Sequence, residues 1–337
     1  MKRKKKRRIR KSVLIVFIIL LALLFLFVLF GLKKNKPEEE EDSKQEIKEI
    51  EKPVDTDMEL KKEKYDECMK QPYKMENLDQ EFEELFNSYA NLNLGISFKD
   101  VNNDYVYFLN PKKGYYSGCV VKIFSVIYFV EKARAGEIDL HSTLTYRPED
   151  KHQFSDMTDQ HNFYDEIPIT TLIRYMLTIS DNSAYFIIIH HYGANTFNNY
   201  FRDKYGINLT FTDNHPFISN YTAELGNKSL ELLYEVLKVD DEYSKLIRES
   251  MANEVENTLN FDDVKFLHKY GEYDVWHNDI GIYDSEDPYL VSILTTAAYG
   301  DYKGLISGVN KDLYTIYKKN LDSKKEYCLK IADFKEW

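Results

Sequence analysis

Tyr115-Tyr116-Ser117-Gly118-Cys119-Val120-Val121-Lys122 leads straight into the apolar helical stretch Val120–Ala135, and the reading of this junction decides the fold. A thiol at a helix start with an amine three residues on puts both groups on one face. The pair can touch. An amine beside a nucleophile can take or balance its proton, and the helix N-terminus adds positive potential. By itself C-x-x-K carries little, because a buried Cys in an apolar helix, with a Lys stretching along it to water, leaves the same pattern.

Two later triplets add weight. Ser180-Asp181-Asn182 falls at the junction of two helical segments, where a hydroxyl and an amide can face a groove, and where Ser, Asp and Asn also serve as plain helix caps. Lys269-Tyr270-Gly271 ends a strand-like Val264–His268, with a Gly that lets a substrate backbone come close. Each triplet is individually common; their order and placement are not.

Around these motifs the pattern is α+β. Leu92, Leu94, Ile96 and Phe98 share one strand face, Asn102-Asn103-Asp104 makes a turn, and Tyr105, Tyr107 and Leu109 return. Near the other end, Asp274–Tyr283 and Tyr289–Thr295 read as strands joined by Asp284-Ser285-Glu286-Asp287, before a helix over Gly304–Lys319. Between them lie helices at Val120–Ala135, Ile169–Ile179, Ser183–Tyr192, Asn195–Lys204 and Thr222–Val239. An antiparallel sheet built from both ends, flanked by helices, with an all-helical part inserted, leaves a groove between the parts where a site is expected.

This domain is expected over residues 75–337. Before it come three different segments. Residues 1–12 hold nine Lys or Arg, and Val13–Leu32 is an uncharged apolar run of 20 residues, long enough to span a bilayer core. Residues 33–74 are rich in Lys and Glu and read as a solvated stalk. The excess of basic residues before the span predicts a cytoplasmic N-terminus, a single pass through the lipid bilayer and an extracellular C-terminal domain. The whole chain carries a net charge of −11, and its basic residues cluster in the leader, so a nucleic-acid partner is excluded. His190-His191 lacks the spacing of a metal site, and no cofactor or metal is expected. Cys68 and Cys328 lie toward the two ends of the domain, compatible with a disulfide or with free thiols.

The ordered set of C-x-x-K, S-D-N and K-Y-G resembles the S-x-x-K, S-D-N, K-T-G signature of class A β-lactamases and related penicillin-recognising serine hydrolases. Gly136-Glu137-Ile138-Asp139-Leu140 and Ile169-Thr170-Thr171-Leu172 are similar to that family as well, so the resemblance extends over residues 75–337. It implies Cys119 at the nucleophile position, Lys122 as its general-base partner and Ser180 as a proton shuttle. It further implies Asn182 as a substrate-amide ligand, Lys269 as the cation facing a substrate carboxylate, and the N–H groups of Cys119 and Glu272 as the oxyanion hole, with Tyr270 and Gly271 beside the substrate. A bacterial acyl-transfer hydrolase acting on β-lactams or peptidoglycan-type peptides is the activity implied.

Three departures bear on that activity. The family's Ser is Cys119, and Ser117 cannot replace it because it lies five residues before Lys122. The middle residue of K-T-G is Tyr270, whose hydroxyl stands farther from the backbone. No Glu occurs between Leu209 and Tyr221, where class A enzymes carry the base for deacylation; Asp213 and Glu224 are the acidic candidates. Two classes follow: an acyl-transfer enzyme with slow turnover, or a cell-wall binding or scaffold protein that kept the fold without turnover.

Overall fold

Tyr289, Val291 and Ile293 on one face of their strand, and Leu290 and Leu294 on the other, are all buried, so this strand has to lie between two layers. In the computed structural model, which describes residues 56–296 and 301–333, it is the middle strand of five. The strands are β1 (Leu94–Asp100), β2 (Tyr105–Leu109), β3 (Thr143–Thr145), β4 (Glu166–Pro168), β5 (Leu267–Tyr273), β6 (Trp276–Tyr283) and β7 (Tyr289–Thr295). The main sheet runs β2-β1-β7-β6-β5, all antiparallel, while β3 and β4 form a small separate ribbon. First and last strands of the domain meet in register, with Ile96 opposite Ile293 and Phe98 opposite Val291.

Nine helices are described: α1 (Thr56–Lys70), α2 (Leu78–Ser88), α3 (Lys122–Arg134), α4 (Ile169–Thr178), α5 (Asn182–Tyr192), α6 (Ala194–Tyr205), α7 (Ala223–Leu237), α8 (Glu242–Ala252) and α9 (Tyr302–Ile331). Helices α2 and α9 cover one face of the sheet, where Phe82, Phe98, Tyr289, Leu313 and Tyr317 pack together. The other face meets α7 and the inserted helices, in a core that includes Phe124, Leu172, Ile188, Leu230, Ile280 and Leu290. Burying α3 on every side explains why Ile123 to Val130 reads as an apolar run interrupted only by the buried Ser125.

Several expectations need correction. The segment 33–74 is not all solvated stalk: Thr56–Lys70 is a helix whose Met69 packs toward the α9 core and whose Cys68 forms a disulfide with Cys328. Just beyond it, Tyr73 lies against Tyr327 at 5.3 Å and bonds Ser323 at 2.7 Å. A Lys- and Glu-rich helix cannot fold alone, but docked on α9 it needs only one apolar edge. Correspondingly, α9 continues past Lys319 to Ile331. Strand β5 starts at Leu267, so Lys269-Tyr270-Gly271 lies inside it rather than after it. Strand β6 starts at Trp276 because Asp274, with φ of 53°, belongs to the turn. Leu92 precedes β1 and is exposed.

Helix α8 was not foreseen, although its signals are present: Asp241 caps it by accepting from the Ser244 N–H at 2.8 Å, and Leu246, Ile247 and Met251 are buried at helical spacing. Arg134 holds the same Asp241 through two hydrogen bonds at 2.8 and 3.0 Å, fixing α8 to the end of α3. The expected span Val13–Leu32 and the tail before it lie outside the described residues; among the described residues no helix is long and apolar enough to cross a membrane.

The disulfide closes a loop across a sequence separation of 260 residues, so Cys68→Ser should lower the unfolding free energy by roughly 2–5 kcal/mol. Thiol titration of the denatured, unreduced chain should find one free thiol, Cys119, and finding three would contradict the pairing.

Candidate active site

The junction that opened the sequence reading is a 3-10 turn, Gly118–Val121, leading into α3 at Lys122. Cys119 therefore stands in this turn and not in the α-helix itself. In a 3-10 turn residues three apart eclipse, which brings Cys119 directly over Lys122. The turn presses on β5, the outer strand of the sheet. Gly118 adopts φ of 53°, and a Cβ there would come within 2.7 Å of the Glu272 nitrogen; a Cβ on Gly271 would lie 2.7 Å from the Cys119 nitrogen. Both positions demand glycine. Their contact brings the Cys119 and Glu272 amides to one point, the arrangement an oxyanion needs.

Neighbouring bonds hold the turn in place. Asn278 Nδ2 on β6 donates to the Tyr116 and Ser117 carbonyls at 2.7 and 3.1 Å. Ser117 is fully buried; its N–H donates to the Ile218 carbonyl at 2.9 Å and its Oγ accepts from the Ile218 N–H at 3.0 Å. That hydroxyl is structural.

Lys122 is completely buried, and an ammonium without water needs acceptors for all its protons. It finds three in the S-D-N turn: the Ser180 carbonyl at 2.6 Å, the Asp181 carbonyl at 3.1 Å and Asn182 Oδ1 at 2.8 Å. Asn182 Oδ1 also accepts from Cys119 Sγ at 3.6 Å. Burial pulls the Lys122 amine below its usual pKa, the positive charge of Lys269 adds to this, and Cys119 and Asp181 oppose it. Asp181 is the cap of α5, accepting from the Ala184 N–H at 2.8 Å, and it also accepts from the Met157 and Thr158 amides. Ser180 sits at φ of 57°, unusual for a residue with a Cβ, and that conformation turns both its carbonyl and its hydroxyl into the cleft.

Across the cleft Lys269 Nζ donates to Ser180 Oγ, to Glu254 Oε2 at 2.5 Å and to the Tyr270 carbonyl at 2.9 Å. The Lys269 and Glu254 side chains are fully buried. Burial pushes the Glu254 carboxyl up to about 7 while Lys269 draws it down. Glu254 Oε1 in turn accepts from Ser180 Oγ at 3.3 Å. Nothing in the sequence singled out Glu254; the capped helix α8, which ends at Ala252, was the one signal that could have located it. Tyr270 points its hydroxyl at Glu272 Oε2 and His277 Nδ1, both at 2.9 Å, and burial with the Glu272 charge holds that hydroxyl protonated.

These groups surround a cleft of about 520 Å³ lined by Cys119, Ser180, Asn182, Glu254, Tyr270 and Glu272, with Phe154, Val255 and Tyr273 exposed at its rim. The expected residues Cys119, Lys122, Ser180, Asn182, Lys269, Tyr270, Gly271 and Glu272 thus converge on one place. Asp213 and Glu224 do not join them: Asp213 accepts from the Ala194 N–H at the start of α6, and Glu224 is exposed in the first turn of α7. His190 pairs with Asp150 at 2.6 Å, and among the described residues no cluster of three or more His, Cys, Asp or Glu can hold a metal.

Comparison with known proteins agrees with this geometry. The family model described as the Beta-lactamase enzyme family matches residues 77–317, and the chain belongs to that family. Among solved structures, the TLA-3 extended-spectrum β-lactamase superposes with a TM-score of 0.62 at 16% identity, covering 71% of this chain and 98% of that one. The protein PBP-A gives a TM-score of 0.61 at 20% identity, covering 74% and 99%. A β-lactamase from Chitinophaga pinensis gives 0.60 at 14% identity, covering 72% and 99%. At these identities the likeness is one of fold. No curated protein sequence matches the chain.

Gly271→Ala tests the close approach of β5 to the Cys119 turn. The added methyl has backbone atoms within 2.8 Å on three sides, so the substitution should destabilise the domain by about 1–3 kcal/mol and slow alkylation or acylation of Cys119. Unchanged melting and unchanged Cys119 chemistry would show that the two backbones are farther apart.

Proposed function

We propose that the protein is an acyl-transfer hydrolase working through Cys119 on strained or peptide amides of the β-lactam or peptidoglycan type, with slow turnover, held at the outer face of a cytoplasmic membrane by Val13–Leu32. The observation that carries the reading is the shared acceptor Asn182 Oδ1, which lies 2.8 Å from the buried Lys122 nitrogen and 3.6 Å from the Cys119 sulfur. A nucleophile, an amine with lowered pKa and two converging amides are the parts acyl transfer requires.

In the proposed step the Cys119 sulfur attacks the amide carbonyl carbon, and the oxygen gathers negative charge between the Cys119 and Glu272 N–H groups. Burial lowers the Lys122 pKa, so Lys122 acts as a neutral amine and takes the thiol proton as the S–C bond forms. Ser180 Oγ hands its proton to the leaving nitrogen as the C–N bond breaks, and is reprotonated from the Lys122 side. The product is a thioester on Cys119 whose former amide nitrogen departs as a free amine from a peptide or stays tethered as an amine in the opened ring of a β-lactam, and water then regenerates the thiol and yields a carboxylic acid. The last step lacks a free base: both oxygens of Glu254 are engaged, and neither Asp213 nor Glu224 lines the cleft. A general base is commonly worth about 10²–10⁴-fold, which is the rate deficit expected in thioester hydrolysis. The same observation favours a second reading, a binding or scaffold protein on this fold.

Cys119→Ser distinguishes the two. With oxygen restored at the attacking position and Lys122 and Ser180 unchanged, intact-mass spectrometry with benzylpenicillin at pH 6 should show acylation faster than in the native chain and an adduct that persists for many minutes. Failure of both proteins to acquire an adduct would favour the binding reading. Rapid multiple turnover by Cys119→Ser would mean that a base for water does exist. The membrane part of the proposal is tested separately: on intact cells stripped of wall, added protease should remove a C-terminal tag and spare an N-terminal one, and the opposite outcome overturns it.

A further inference from the structure

The resemblance gives Lys269 the task of facing a substrate carboxylate, yet its charge is already matched. Its three donors are spent on Glu254, Ser180 Oγ and the Tyr270 carbonyl, and the Glu254 and Lys269 side chains are buried as completely as any pair in the domain. The cleft lining repeats this bias: Glu254, Glu256, Glu272 and Asp274 contribute to it, and among the described residues no Lys or Arg lines it, although Lys303 outside the lining pairs with Glu256 at 2.7 Å. A carboxylate seated beside Lys269 would have to break a buried ion pair or share its cation with a second anion, and both are unfavourable in a site shielded from water.

We propose that this cleft selects acyl donors carrying an uncharged or positively charged group where the resemblance places a carboxylate, and that Glu254 is the specificity-determining residue. The inference deepens the acyl-transfer reading and rests on it for the identity of the cleft as the substrate site. It gives Glu254, at the end of α8, a role that no motif assigns. Peptides whose terminal carboxyl is amidated fit this chemistry; free acids do not.

A consequence in pH follows from the groups that face Glu254. These are Lys269 and His268 on β5, Asp279 on β6 and Ser180 before α5, with the Lys122 charge beyond Lys269. Burial disfavours a charged His268, but Asp279 at 3.0 Å outweighs it and holds that ring's pKa up, so this pair satisfies itself. Glu254 is the group that changes. Its raised carboxyl pKa, about 7, means that it takes a proton as pH falls through that value, freeing Lys269 for an anion. As pH rises the carboxylate returns and anionic ligands lose their place.

The test compares N-acetyl-D-alanyl-D-alanine with its C-terminal amide as protectants of Cys119 against iodoacetamide in the full chain. At pH 8 the amide should protect at roughly 10-fold lower concentration than the acid, and by pH 6 that gap should shrink to about threefold or less. In Glu254→Gln the acid should protect at least as well as the amide at both pH values. Because Gln leaves Lys269 without its counter-charge, the pH series on the native chain stands as a check that needs no substitution. Preference for the acid at pH 8, or a gap unaffected by pH and by Glu254→Gln, overturns the proposal while leaving acyl transfer intact. Protection by neither peptide, with Cys119 still open to alkylation, overturns the substrate-site reading and this inference with it.

Discussion

A lysine with no access to water sets the terms for this domain. Lys122 cannot be buried as a cation unless acceptors surround it, and all three come from the consecutive residues Ser180, Asp181 and Asn182. That requirement ties α3, in the centre of the helical part, to the turn before α5. It also accounts for the left-handed conformation of Ser180, since its carbonyl has to turn toward Lys122 while its hydroxyl reaches Lys269. The Asp181 carboxylate, not used by Lys122, caps α5 and holds Met157 and Thr158 beside the cleft.

The sheet meets this arrangement at one point of glycine contact. Gly118 and Gly271 remove the side chains that would separate the Cys119 turn from β5, so two backbone amides face the same small volume. The anchoring is redundant, with Asn278 on β6 gripping the turn from below and Ile218 gripping Ser117 from the side. A nucleophile position built in this way is rigid whether its atom is sulfur or oxygen, and rigidity is what holds reacting atoms in line.

Much of this was legible in the chain because it depends on local pattern. Alternation in Leu94–Phe98 and the short apolar run Tyr289–Thr295 pointed to strands, Ser, Asp and Asn to caps, and the three triplets to the cleft. What escaped depends on contacts distant in sequence. Glu254 matters only because α8 delivers it to Lys269, and no motif contains it. The Lys- and Glu-rich composition of Thr56–Lys70 describes a segment that does not fold alone, and composition does not record that α9 extends far enough to receive it and pair Cys328 with Cys68. The glycine of the K-Y-G stretch was visible as a permissive residue, but its approach to Gly118 required the sheet edge and the 3-10 turn together.

The account stands on Cys119 as the atom that receives the acyl group. The direct measurement is to incubate the full native chain with benzylpenicillin at pH 6, digest it, and locate the mass increment by peptide mapping with and without neutral hydroxylamine. The account predicts an adduct confined to the peptide bearing Cys119 and released by hydroxylamine, as a thioester must be. An adduct on Ser117, Ser180 or another residue, or no adduct while Cys119 remains freely alkylated, would contradict it.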